Sequence, residues 1–254
     1  MDAGGVSLNY VLLTALGIAL CSFFGAVIGF SFKKIPASVE DAVNGCAAGI
    51  MLSAAVLGLV VPSVEFSGDK AIYVPTIGMF CGALFLTLIN RAGPFITKKM
   101  GMTGSDADSN CRAMLFVLAI AIHHFPEGIA AGVSFGTGDI SDAVTVVSGI
   151  AFQNIPEGMI IIPPLLKNGT GRKRAAVIAL ISGLVEVLGV FAGYFAISVS
   201  RAILPFALAF AAGTMLYVIV DDIVPQTHMR ESGRISTYSL IAGFCMMLIV
   251  DVLF

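Results

Sequence analysis

Eight runs in this chain are apolar for long enough to cross a bilayer, which restricts the possible folds before any single residue is considered. In hydrocarbon every backbone N–H and C=O must be paired within its own segment. A span is then a helix of about 20 mainly apolar residues. The runs between charged or turn-rich breaks predict spans near residues 8–30, 42–63, 72–95, 113–135, 143–165, 175–198, 203–225 and 236–254. Connections are short except for the polar stretch around Thr97 to Arg112, which leaves no room for a separate soluble domain. Only 12% of the 254 residues are charged, against about 25% in a soluble protein. The expected fold class is an all-α polytopic membrane protein with eight transmembrane helices, one domain over residues 1–254. The first run has no basic leader and reads as a helix that stays in the membrane rather than a cleaved signal. A net charge of −2 offers no basic surface for nucleic acid.

Lysine and arginine placement gives the orientation. With the N-terminus outside, the inner connections hold Lys33, Lys34, Arg91, Lys98, Lys99, Arg112, Lys167, Arg172, Lys173, Arg174, Arg230 and Arg234. Only Lys70 and Arg201 fall outside, so both termini are placed on the outer side. The five cysteines are scattered without a CxxC pair, which indicates neither a disulfide framework nor a thiolate zinc site.

Two internal similarities stand out. His123-His124-Phe125-Pro126-Glu127-Gly128 and Gln153-Asn154-Ile155-Pro156-Glu157-Gly158 lie on the adjacent, oppositely directed fourth and fifth spans. Ala47-Ala48-Gly49-Ile50-Met51-Leu52 in the second span resembles Ala211-Ala212-Gly213-Thr214-Met215-Leu216 in the seventh, and each is followed by a proline, Pro62 and Pro225. The second and seventh spans run in opposite senses. The pattern therefore predicts an inverted repeat of spans one to three against six to eight, a transporter architecture. Glycines at four-residue spacing, such as Gly25/Gly29 and Gly189/Gly193, predict close helix packing in lipid.

The two PEG segments carry the chemistry. An acidic residue at the centre of a bilayer costs about 2.5–3.5 kcal/mol on insertion scales, so Glu127 and Glu157 need a compensating charge. Residues three and four apart share a helix face, which sets His123 and His124 beside Glu127, and Gln153 and Asn154 beside Glu157. Each proline removes the N–H that would pair with a carbonyl four residues earlier, adding oxygen to the same face. Glu186 sits mid-span with no basic residue near it in sequence. No lysine or arginine is available within the membrane, so the positive charge must come from cations or protons. Imidazole with carboxylate and no thiolate suits zinc, ferrous iron, manganese, cobalt or nickel. The residues can hold two ions sharing glutamates, or one ion with spare polar groups.

Other polar residues read either as solvated ends, the reading favoured at the seventh span over an exit site for the ion, or equally, at the outer connections, as groups that attract cations to the entrance. Asp221, Asp222 and His228 lie at the inner end of the seventh span. Glu65, Asp69, Asp139 and Asp142 lie at outer connections, and Asp251 has no assigned role. Two rival classes use the same cluster. One is an intramembrane zinc hydrolase activating water; the other is a transporter of another solute that uses the glutamates as a proton relay.

The HHFPEG and QNIPEG segments on consecutive spans resemble the signature helices of ZIP (Zrt-/Irt-like) divalent-metal transporters, nearest to the prokaryotic GufA-type and ZupT-type members. The likeness extends over the chain, including the polar loop after the third span and the AAG-x-ML helices. It implies a 3+2+3 arrangement, a homodimer, and a metal site between helices four, five and six. It further implies alternating-access uptake across the plasma or inner membrane, no enzyme activity and no prosthetic group. The implied cargo is zinc first, with iron, manganese, cobalt and cadmium as further candidates. By matching position, His123, Glu127, Gln153 and Glu157 correspond to the primary metal position. His124, Asn154 and Glu186, with Glu127 and Glu157 as bridges, correspond to a second. Two positions depart from the usual pattern: His124, where asparagine is frequent, and Asn154, where some members carry aspartate.

Overall fold

The computed structural model describes residues 7–32, 36–70, 72–99, 124–135, 140–167, 170–199, 201–225 and 233–253, and among these every regular element is helical. In chain order they are α1 (Leu8–Gly29), α2 (Ala37–Ala55), α3 (Val61–Ser67), α4 (Tyr73–Lys99), α5 (124–134), α6 (Ile140–Lys167), α7 (Arg172–Val199), α8 (Leu204–Val218) and α9 (Gly233–Leu253). A π turn, Val56–Val60, joins α2 to α3 into one continuous rod, and a second, Ile219–Ile223, extends α8. Each π turn comes just before the proline foreseen from the sequence, Pro62 or Pro225. Proline cannot donate to the ladder, and a wider turn is one way for a helix to absorb that defect.

Six of these helices are long and apolar enough to cross a membrane, and a seventh, Tyr73–Leu88, is apolar but shorter. The fourth expected span lies partly outside the described residues; its described part is helical. The outward faces suit lipid. Leu12, Leu16, Leu20 and Phe24 are exposed along α1, and Leu180, Leu184 and Leu188 along α7. A helix apolar on its outer face as well as its inner one belongs in a bilayer. The inner faces meet in a core that includes Met51, Leu59, Ile150, Leu208 and Met215. The four cysteines described, Cys21, Cys46, Cys81 and Cys245, are free thiols.

Glycines decide which helices touch. A methyl group on Gly25 or Gly29 of α1 would strike the Ile155 or Met159 carbonyl of α6, and one on Gly158 would strike the Ser22 carbonyl of α1. The α5–α7 pair uses the same arrangement, with Gly189 against the Phe125 carbonyl, Gly193 against Ile129 and Gly128 against Glu186. One constant offset in residue number carries Gly25, Gly29 and Ser22 onto Gly189, Gly193 and Glu186. A second offset carries Ile155, Gly158 and Met159 onto Phe125, Gly128 and Ile129.

The remaining helices pair in a matching way, α2 with α9 and α4 with α8. Gly49 abuts the Leu240 carbonyl and Gly243 that of Cys46, while Gly213 abuts Met79 and Gly82 abuts Phe210. Without a hydrophobic driving force between helices in lipid, such close backbone approach supplies much of the packing energy. It also sets α5 directly against α7 and α1 directly against α6.

Candidate metal centre

Three helices converge on the PEG segments. From α5 come His124, 2% exposed, and Glu127, 1% exposed; from α6 come Gln153 and Asn154, both fully buried, and the half-buried Glu157; from α7 comes the fully buried Glu186. The helix α6 runs unbroken through Pro156, so the three- and four-residue spacings act as the sequence suggests. His123 lies outside the described residues.

One ligand atom each from His124, Glu127 and Glu157 falls within a sphere of contact in which all lie within 4.8 Å of one another. That separation lets a single cation touch all three. The amide groups tie the carboxylates together across helices. Gln153 Nε2 donates to Glu127 Oε1 at 2.7 Å, and Asn154 Nδ2 donates to both Glu186 oxygens at 2.8 Å. Each amide thereby turns its own oxygen away from the carboxylate it serves.

What is left over is informative. Glu127 Oε2, Gln153 Oε1 and Asn154 Oδ1 are buried and have no hydrogen-bond donor among the described residues. A buried acceptor without a partner costs about 1–3 kcal/mol, more when charged. Glu127, Glu157 and Glu186 also lie within electrostatic reach of one another, and no lysine or arginine is among the described buried residues. Three unsatisfied oxygens, an imidazole and clustered carboxylates share one need, a positive ion. The donor set of imidazole, carboxylate and amide oxygen without thiolate fits zinc and its first-row neighbours.

A family model described as ZIP Zinc transporter matches residues 97–251. The chain belongs to the ZIP family. It is 32% identical to zinc transporter ZIPB of Bordetella bronchiseptica, across 97% of this chain and 82% of the relative. It is 38% identical to zinc transporter GufA of Myxococcus xanthus over 76% of this chain and 78% of the relative. Zinc transporter ZupT of Chlorobaculum parvum is 31% identical over 98% of both chains. ZIP proteins are transporters rather than enzymes, which sets aside the hydrolase reading of the cluster. The resemblance drawn from the two PEG segments holds, and the ZIP chain here is a multi-pass membrane protein.

The weaker sequence candidates stay apart from this cluster or cannot be placed. Asp221 is exposed on the second π turn, Glu65 is exposed near the end of α3, and Asp69 is exposed just beyond it. Asp139 and His228 lie outside the described residues.

Proposed function

We propose that this protein carries divalent metal ions, zinc foremost, into the cytoplasm through the cluster between α5, α6 and α7. The observation that carries the reading is the set of buried, unpartnered acceptor oxygens beside His124, Glu127 and Glu157. The names of the relatives, all zinc transporters, point to the same cargo. Iron, manganese, cobalt and cadmium share these ligand preferences and rank behind zinc.

In this reading the full ligand set is His123, His124, Glu127, Gln153, Asn154, Glu157 and Glu186, arranged as two neighbouring ion positions bridged by Glu127 and Glu157. The chain has eight spans in a 3+2+3 order, with both termini outside. It sits in the plasma or inner membrane as a homodimer. The matched glycine contacts and matched π turns support an inverted repeat, in which α1 answers α7, α2 answers α8, α4 answers α9 and α5 answers α6. Such a repeat suits alternating access, because the two arrangements of one packing scheme differ little in energy.

The ion enters from outside and exchanges water for histidine and carboxylate ligands. It leaves to the cytoplasm when one group of helices shifts against the other. Zinc uptake into proteoliposomes by the Glu157→Ala and His123→Ala variants tests this. Both should lose uptake, and unchanged uptake in both would overturn the site assignment.

A further inference from the structure

Helix α7 opens on a run of exposed basic residues, Arg172, Lys173 and Arg174. The first two line an open cavity of about 560 Å³ between the end of α1 and the start of α7, together with Val27, Phe30, Ser31 and Ala176. That volume is within the usual range of a small-molecule site, about 300–1,000 Å³. Farther into the span the same two helices close up, and a methyl group on Gly183 would meet the Ala19 carbonyl at 3.1 Å.

Arg172 is held at the rim of this cavity. Its Nη2 donates to the Phe30 carbonyl at 3.5 Å, and its guanidinium carbon lies 5.2 Å from the centre of the Phe30 ring. Both contacts orient the planar group and leave further N–H donors open. No ion pair or hydrogen bond engages Lys173 among the described residues, and no acidic side chain is among those that line the cavity. The N-terminal end of α7 adds a dipole that favours an anion.

Beneath the charges the walls turn apolar. Phe24 and Leu20 continue the face of Val27 along α1, and Leu180 and Leu184 continue that of Ala176 along α7, all four exposed where lipid would lie. A basic rim above an apolar, membrane-facing crevice matches a phospholipid, phosphate uppermost and acyl chain below. A soluble anion would use the rim alone.

We infer that this cavity binds an anionic phospholipid, its phosphate held by Arg172 and Lys173 and an acyl chain laid along the crevice between α1 and α7. In the proposed orientation the cavity opens to the cytoplasmic leaflet, where basic pockets between spans meet anionic headgroups. The inference does not depend on the metal centre. The lipid bridges the two helices whose glycine contacts seat α6 and α5.

The test titrates the solubilised full-length protein with dioleoyl phosphatidylglycerol, dioleoyl phosphatidylcholine and glycerol 3-phosphate, and counts bound molecules by native mass spectrometry. Wild type should prefer phosphatidylglycerol to phosphatidylcholine by about tenfold or more, and should not hold glycerol 3-phosphate. Lys173→Gln should weaken phosphatidylglycerol binding by about fivefold and Arg172→Gln by about tenfold. Ala176→Phe fills the cavity without touching a charge and should weaken binding comparably. Arg234→Gln removes an exposed arginine at the start of α9 and should leave binding at the wild-type value. Wild-type affinity in both Lys173→Gln and Ala176→Phe would overturn the inference, and these two variants decide it if Arg172→Gln, which also frees the Phe30 carbonyl, does not fold. A loss in Arg234→Gln as large as that in Lys173→Gln would mark general attraction to basic charge and would overturn it too. Glycerol 3-phosphate bound as tightly as phosphatidylglycerol would refute the lipid in favour of a soluble anion.

Discussion

Replacing Asn154 by aspartate puts the electrostatics of the centre to a quantitative test. Asn154 Nδ2 now donates to both Glu186 oxygens at 2.8 Å, and bonds to a charged acceptor are worth about 1.5–3 kcal/mol each. Asn154→Asp turns that attraction into a contact between two carboxylates. At 2.8 Å and an effective dielectric near 20, two like charges repel by about 6 kcal/mol. The structure has no buried lysine or arginine to absorb this among the described residues. At neutral pH the variant must therefore hold either a proton or an additional cation between the new carboxylate and Glu186.

The assay is zinc titration by calorimetry, in detergent, using buffers of contrasting ionisation enthalpy. Wild type sets the reference number of protons released per ion bound. Asn154→Asp should release about one more, and its affinity should fall more steeply on acidification, by about another tenfold per pH unit. It should also fill a second ion position at lower free metal than wild type does. Proton release and stoichiometry identical to wild type would refute the reasoning, because they would mean the new carboxylate does not share the site of Glu186.

Other consequences can be checked independently. Glu127→Gln keeps the side chain's shape and its bond from Gln153 but removes one charge, and should cut zinc uptake by about 100-fold or more, read as initial rates in vesicles. Metal binding needs a neutral imidazole and ionised carboxylates, so protons compete and uptake should decline as pH falls through the histidine range. His124→Ala should flatten that decline, and a pH profile of initial rates would show it. Gly25→Val places side-chain atoms on the backbone of α6 at Ile155 and should lower the melting temperature, as overpacking costs about 1–3 kcal/mol or more. Gly17→Ala meets nothing within 4 Å and should be neutral or slightly stabilising, because alanine is the better helix former by about 1 kcal/mol.

Much of this architecture is legible in the residue order because a bilayer allows so few solutions. The helices are written as length and hydropathy, and most boundaries moved by only a few residues, as where the second span begins at Ala37 rather than near residue 42. The faces of the site were readable too, since His124 and Glu127, or Asn154 and Glu157, meet whenever the backbone is helical. Cross-helix chemistry was not. Nothing in a single sequence says that Gln153 serves Glu127 while Asn154, one residue on, serves Glu186. That division follows from their pointing about 100° apart around α6, toward α5 and α7 respectively.

Ser22, which the glycine register sets in the place that Glu186 holds on α7, shows why the detail of the repeat stayed hidden. One serine in an apolar run carries no signal, whereas a glutamate there carries a strong one. The repeat supplies the missing information only once glycine contacts fix its register. With the register fixed, the centre becomes asymmetric in a meaningful way. The PEG glutamates of α5 and α6 answer each other, but the carboxylate of α7 is answered on α1 by a neutral hydroxyl.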